Sequence, residues 1–212
     1  MRKEQFVESE YYHIYNRGVD KRPIFSDDRS RLRFLHGLYV LNNFLDIPPS
    51  PRFDVIALEP REVLKPIEPY VEVVAGCLMP NHYHLMVMQK RDGGISKLMH
   101  KLGSSYTHYF NKRYERTGAL FESTFKAKHV DRHNYAAYLT EYIHLNPLNL
   151  YRSKIGTEGD ESHRRLESYQ WSTLPIYLGT QSKFSLLTSI DFLEKVLDMD
   201  HESYRQLIYS MI

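Results

Sequence analysis

The stretch VEVVAGCLMPNHYHLMVMQ, residues 71–89, decides the fold. The mostly apolar stretch from Val71 to Met79 reads as a buried strand, Pro80 and Asn81 break it, and His82 to Gln89 returns as its partner. Successive side chains of an extended chain point to opposite faces. His82 and His84 therefore share one face, and Tyr83, Leu85 and Val87 the other. Two imidazoles side by side suit a metal ion, although two surface histidines at period two would look the same. Cys77 is the one cysteine of the chain. In this run it reads as a small buried hydrophobe rather than a nucleophile, and it excludes a disulfide within the chain.

Outward from this hairpin the pattern alternates between sheet and helix. Before it, YYHIYNRG (11–18) alternates and ends at Gly18, reading as a strand that leaves into a loop with Arg17, Lys21 and Arg22. Ser26 can cap a helix over RSRLRFLHGLYVLNNFL, with Asp27 and Asp28 in its first turn and Leu32, Leu35 and Leu38 at helical spacing. Residues 46–54 form a proline-rich loop and 55–69 an irregular excursion. After the hairpin, Gly93 and Gly94 open a long helix with the stripe Ile95, Leu98, Met99, Leu102, Tyr106, Tyr109 and Phe110. An extended segment carrying Lys126 and Lys128 follows, and then the helix NYAAYLTEYIHLN, which Pro147 should stop because the residue before proline avoids the helical region. The order β-α-β-β-α-β-α predicts an α+β fold. It would be a ferredoxin-like, RNA-recognition-motif-like antiparallel sheet with helices packed on it. Composition changes after Arg152, so residues 1–152 are expected to form the main domain. Residues 153–212 are then a helical extension, packed on the core or aiding substrate binding.

The net charge of +2 hides an uneven distribution. Residues 90–152 hold 11 Lys and Arg against 5 Asp and Glu, and the rest of the chain 17 against 21. A basic central region points to a polyanion, or to an ordinary solvated face. The 17 tyrosines offer faces on which unpaired bases stack, and they also fill ordinary cores. No apolar run approaches the roughly 20 residues of a membrane helix, and MRKEQFVESEYY is too polar for a secretory signal, so a cytoplasmic protein without membrane contact is expected.

The third helix adds the residues that give the histidine pair a meaning. Tyr142 and Asn146 are four apart and share a face, with Asn146 in the last turn, where carbonyl ends favour a cation. Two imidazoles and the Asn146 side-chain oxygen would hold a divalent ion with open positions for substrate oxygens. Imidazoles lean toward Mn²⁺ or Zn²⁺, whereas phosphoryl oxygens and availability favour Mg²⁺; Mg²⁺ or Mn²⁺ is expected.

In YHIYNRG, MPNHYHLMV, GALFESTFKAKHV, YLTEYIHLNP and YQWS, in this order over most of residues 11–172, the chain resembles the HUH-type single-strand DNA transposases, and among them the REP-associated tyrosine transposases. One departure is Tyr83, between the histidines, where the family usually has a plain hydrophobe. The resemblance implies that His82 and His84 bind the metal, that Asn146 is a third, polar ligand, and that Tyr142 is the nucleophile. It implies a metal-dependent endonuclease and strand transferase that forms a 5′-phosphotyrosyl intermediate on single-stranded DNA bearing a hairpin, at repetitive extragenic palindromes or transposon ends. A phenol is a poor nucleophile at neutral pH, and an adjacent cation favours its phenolate while drawing charge from the phosphate. No GxxxxGK[ST] phosphate loop is present, so no nucleotide cofactor is expected.

Arg17, Lys97, Lys101, Lys126, Lys128 and Arg132 are candidates to grip the DNA backbone, each also readable as a solvated charge. His144, two residues from Tyr142, points elsewhere on the helix. Two rival functions stand beside the transposase: a metal-dependent hydrolase using the same histidines, and a non-catalytic hairpin binder derived from a transposase. A homodimer is open, because members of the wider family exchange the tyrosine helix between subunits.

Overall fold

The computed structural model describes residues 5–44, 68–151, 159–188 and 190–212; the proline-rich loop at 46–54 and all but the end of the excursion at 55–69 lie outside these. Four strands, β1 (Tyr11–Arg17), β2 (Val71–Met79), β3 (His82–Gln89) and β4 (Lys126–Val130), form one sheet in the order β2-β3-β1-β4. Every neighbouring pair is antiparallel. This is the ferredoxin-like sheet expected from the order of elements.

Register fixes the two faces. Arg17 sits opposite His82, Tyr15 opposite His84 and His13 opposite Met86 on β3, while Lys126 and Lys128 of β4 flank Tyr15 and His13. These side chains share the histidine face. On the reverse face Tyr12, Ile14, Tyr83, Leu85 and Val87 are almost completely buried. Against them pack α1 (Asp28–Leu41) and α2 (Gly94–Arg113), through an aromatic cluster in which Phe34 meets Tyr83 at 5.0 Å and Tyr106 at 5.3 Å. Tyr83 thus packs where alternation put it, and each such buried ring contributes about 1.5–3 kcal/mol.

The cap of α1 is Asp27 rather than Ser26. Its carboxylate accepts the Ser30 N–H at 2.8 Å, and it also takes both terminal nitrogens of Arg113 from the end of α2. A carboxylate, unlike the Ser26 hydroxyl, closes the helix terminus and an ion pair together. Asp27→Ala should lower stability by about 1–2 kcal/mol in urea melts, most of it from the lost cap.

α3 (His133–Leu145) lies on the histidine face, with Thr140 against Met86 of β3. Pro147 does not stop the chain's helical course. Asn146 is helical (φ −54°, ψ −37°) and begins a 3₁₀ turn, Asn146–Leu150. Proline is tolerated in a first helical turn, where its missing N–H would have had no partner.

Beyond residue 158 the chain forms α4 (Gly159–Glu167), α5 (Leu174–Tyr177), α6 (Asp191–Lys195) and α7 (His201–Tyr209). This helical extension runs along the outer edge of β2. Leu78 donates its N–H to the Trp171 carbonyl, Thr173 donates to the Gly76 carbonyl, and bridges join Cys77 to Ser172 and Val73 to Thr188. An edge strand's unpaired backbone groups are satisfied this way. None of the helices among the described residues is long and apolar enough to cross a membrane.

Candidate functional site

The hairpin presents its two histidines at the rim of the sheet, and each imidazole is held by a neighbour. His82 Nδ1 lies 2.7 Å from the Asn81 side-chain oxygen. Asn81 is itself oriented, because its amide nitrogen donates to the Lys21 carbonyl at 3.1 Å. That carbonyl comes from a turn in which Asp20 and Lys21 both adopt left-handed φ, 55° and 58°. Gly18, which precedes this turn, donates its N–H to the Asn81 carbonyl, and a Cβ there would lie 2.4 Å from the Arg22 carbonyl oxygen. No other residue fits at that crossing.

An amide oxygen only accepts, so Nδ1 of His82 carries the hydrogen and Nε2 holds a lone pair. Nε2 lies 3.3 Å from the Asn146 Oδ1, another acceptor. A cation between them would satisfy both lone pairs. Burial pushes the His82 pKa down, and the nearby Arg17 charge pushes it further, although the Asn146 contact opposes this. The balance favours a neutral imidazole, the form that ligates a metal. These donors fit a divalent ion.

His84 is 8% exposed, and burial, with His13 and His82 beside it, lowers its pKa to about 3. The perpendicular rings of His82 and His84 lie 5.1 Å apart. Tyr142 approaches His84 edge-on, 5.3 Å between centroids and 86° between planes, and remains 41% exposed. Asn146 is almost fully buried at 4%. One turn of α3 thus delivers a phenol beside His84 and an amide oxygen to His82. Among the described residues no group of three or more His, Cys, Asp or Glu is arranged to hold a metal. The available donor set is two imidazoles and an amide oxygen.

Of the candidate DNA-gripping residues, Arg17, Lys126 and Lys128 project from β1 and β4 on the histidine face. Glu122 pairs with Arg17 at 2.7 Å and with Lys126 at 2.8 Å, and the Lys128 ammonium lies 4.3 Å from the centre of the Tyr135 ring on α3. Arg132 is exposed at the start of α3. Lys97 and Lys101 are placed elsewhere. They belong to α2 on the reverse side of the sheet, over the rings of Phe44 and Tyr70. Nor is the basic central stretch one continuous face, since Lys90, Arg91 and Arg113 pair with Glu72, Glu68 and Asp27.

Cys77 is fully buried and burial pushes its thiol pKa up, away from the thiolate a nucleophile needs. His144 turns away from the site as expected. His13 was missed: its Nε2 lies 2.8 Å from His84 Nδ1. The alternation of YYHIYNRG contained that signal, but only the register of β1 against β3 reveals it.

Residues 58–146 match the model of a family described as transposase, IS200-like. Among solved structures, a REP-associated tyrosine transposase bound to a REP hairpin has a similar fold, with TM-score 0.54 and 12% identity, covering 90% of this chain and 89% of that one. No curated protein matches the chain in sequence. The chain is thus similar to IS200-like transposases in sequence, and it has the fold of a REP-associated tyrosine transposase.

Proposed function

We propose that this protein is a metal-dependent, single-stranded DNA endonuclease and strand transferase that uses Tyr142 as nucleophile on DNA bearing a hairpin. The observation that carries this is the meeting of one helical turn with the histidine pair, Tyr142 against His84 and Asn146 against His82. A structural neighbour bound to a REP hairpin supports hairpin DNA as the partner, a REP-like element or transposon end.

In this reading residues 1–152 are the catalytic unit and 153–212 an extension that braces it. His82, His84 and Asn146 hold Mg²⁺ or Mn²⁺, which when bound draws charge from the scissile phosphate and favours the phenolate. The Tyr142 oxygen attacks phosphorus, the bond from phosphorus to the 3′ oxygen breaks, and that oxygen leaves with a proton as a free 3′-hydroxyl. A 5′-phosphotyrosine remains. Bond energy is conserved, so a second strand's 3′-hydroxyl can reverse the step and join strands at the same site. Arg17, Lys126, Lys128 and Arg132 lie around this face and supply the backbone contacts. Lys97 and Lys101 could reach only DNA that wraps to the other side.

The test is incubation of the protein with single-stranded DNA hairpins labelled at both ends, in Mg²⁺, Mn²⁺ or EDTA, followed by denaturing gels. A fragment that stays covalently on the protein only when metal is present is the expected result. Free fragments without an adduct would indicate a water nucleophile and a hydrolase. Tight binding without cleavage would indicate a hairpin binder that has lost its chemistry.

A further inference from the structure

We infer that His13 is a positioning residue that fixes His84 in the tautomer a metal ion requires, a role that rests on the metal-binding reading of His84. His13 Nε2 and His84 Nδ1 are 2.8 Å apart, and both rings are buried. Two ring nitrogens at that distance share one proton, and two arrangements are possible. If His13 donates, His84 must carry its hydrogen on Nε2, and neither of its nitrogens is open to an ion. If His84 donates from Nδ1, its Nε2 lone pair is free. A structure that uses His84 as a ligand therefore needs His13 as the acceptor, with the His13 hydrogen on its own Nδ1.

The surroundings hold this geometry. His13 projects from β1, the strand paired on both sides, and its side chain is 8% exposed. Tyr15, the next side chain on that face, stacks on His13 at 4.7 Å and on His84 at 5.8 Å. His82 shows the same device in a second form, with the Asn81 oxygen as the acceptor at its Nδ1. Each histidine of the pair thus has a dedicated acceptor at Nδ1, one an amide oxygen and one an imidazole, and both leave Nε2 as the ligating nitrogen.

The first arm of the test needs neither variant nor activity. In metal-free wild-type protein, long-range proton–nitrogen NMR spectra of the histidine side chains should show His84 protonated at Nδ1 and bare at Nε2. The opposite tautomer would overturn the inference. The second arm titrates wild type, His84→Ala, His13→Phe and His13→Gln with Mn²⁺ alone, reading free Mn²⁺ by electron paramagnetic resonance. His13→Phe keeps the ring volume and removes the acceptor, and Mn²⁺ affinity should fall about 10–100-fold. His13→Gln restores a carbonyl acceptor and should recover most of that loss, which a merely structural role would not produce. Equal affinity in wild type and both His13 variants, with loss only in His84→Ala, would overturn the positioning role while leaving the metal site intact. No Mn²⁺ binding by wild type would overturn the metal reading itself, and the inference with it.

Discussion

Tyr142→Phe should abolish the covalent DNA adduct and lower strand cleavage by a factor on the order of 10³ or more, while hairpin binding stays within about twofold of wild type. The separation of these effects follows from where the hydroxyl lies. Tyr142 is 41% exposed and meets His84 through its ring, which phenylalanine retains. Removing its hydroxyl therefore leaves the fold and the charged face unchanged, and deletes only the atom proposed to attack. Tyr138 is the sharp control. It lies one turn earlier on α3 and is still more exposed, at 60%, and its ring stacks on Tyr135 at 6.4 Å rather than meeting His84. Tyr138→Phe should keep the adduct. Paired gel-shift and denaturing-gel measurements on both variants decide the matter: an adduct that survives in Tyr142→Phe and vanishes in Tyr138→Phe would move the nucleophile one turn along the helix.

The sheet was legible because its hairpin advertises itself. A nine-residue, mostly apolar run, a Pro-Asn break and an alternating return leave few alternatives, and the structure pairs Met79 with His82 at the turn as that reading requires. The candidate site was legible for a narrower reason: His82 and His84 are one residue apart on a strand, and Tyr142 and Asn146 lie a turn apart on one helix. What could not be read is which elements share a face. His13 escaped notice because its partner is 71 residues away and depends on strand register. The charge of Lys97 and Lys101 on a helix is visible in sequence, whereas the side of the sheet on which that helix lands is not. The extension was hardest to read. Its short helices are set by contacts with β2 and α3 rather than by their own periodicity, and α5 has only four residues.

His144 is where that extension takes hold of α3, the helix that carries Tyr142. Its Nδ1 meets the Tyr204 hydroxyl of α7 and its Nε2 the Thr173 hydroxyl before α5, both at 2.7 Å, and its ring packs edge-on against Tyr177. Thr173 in turn accepts the Gly76 N–H of β2 at 2.9 Å. One imidazole therefore joins α3, the extension and the sheet edge, two residues from Tyr142. Complete burial lowers its pKa to about 3 from the ordinary 6.5, so it folds in neutral form. The sign of the linkage follows. The unfolded chain takes up the proton first as pH falls, so the stability from this group is full above about pH 6.5 and is lost progressively toward pH 3. At pH 5 the loss is about 2 kcal/mol from His144 alone, with His13 and His84 pulling in the same direction because burial lowers them to about 4 and about 3. Urea melts in EDTA should show wild-type stability falling as pH drops from 7 to 5. His144→Leu should cost about 2–4 kcal/mol at pH 7, because buried hydroxyls lose a partner, and its pH slope should be shallower by close to one proton. A His144→Leu protein as stable as wild type, or one with an unchanged slope, would mean that the extension merely lies against α3. A loss of the expected size, shrinking as the pH is lowered, would make the extension a brace for the helix that carries Tyr142.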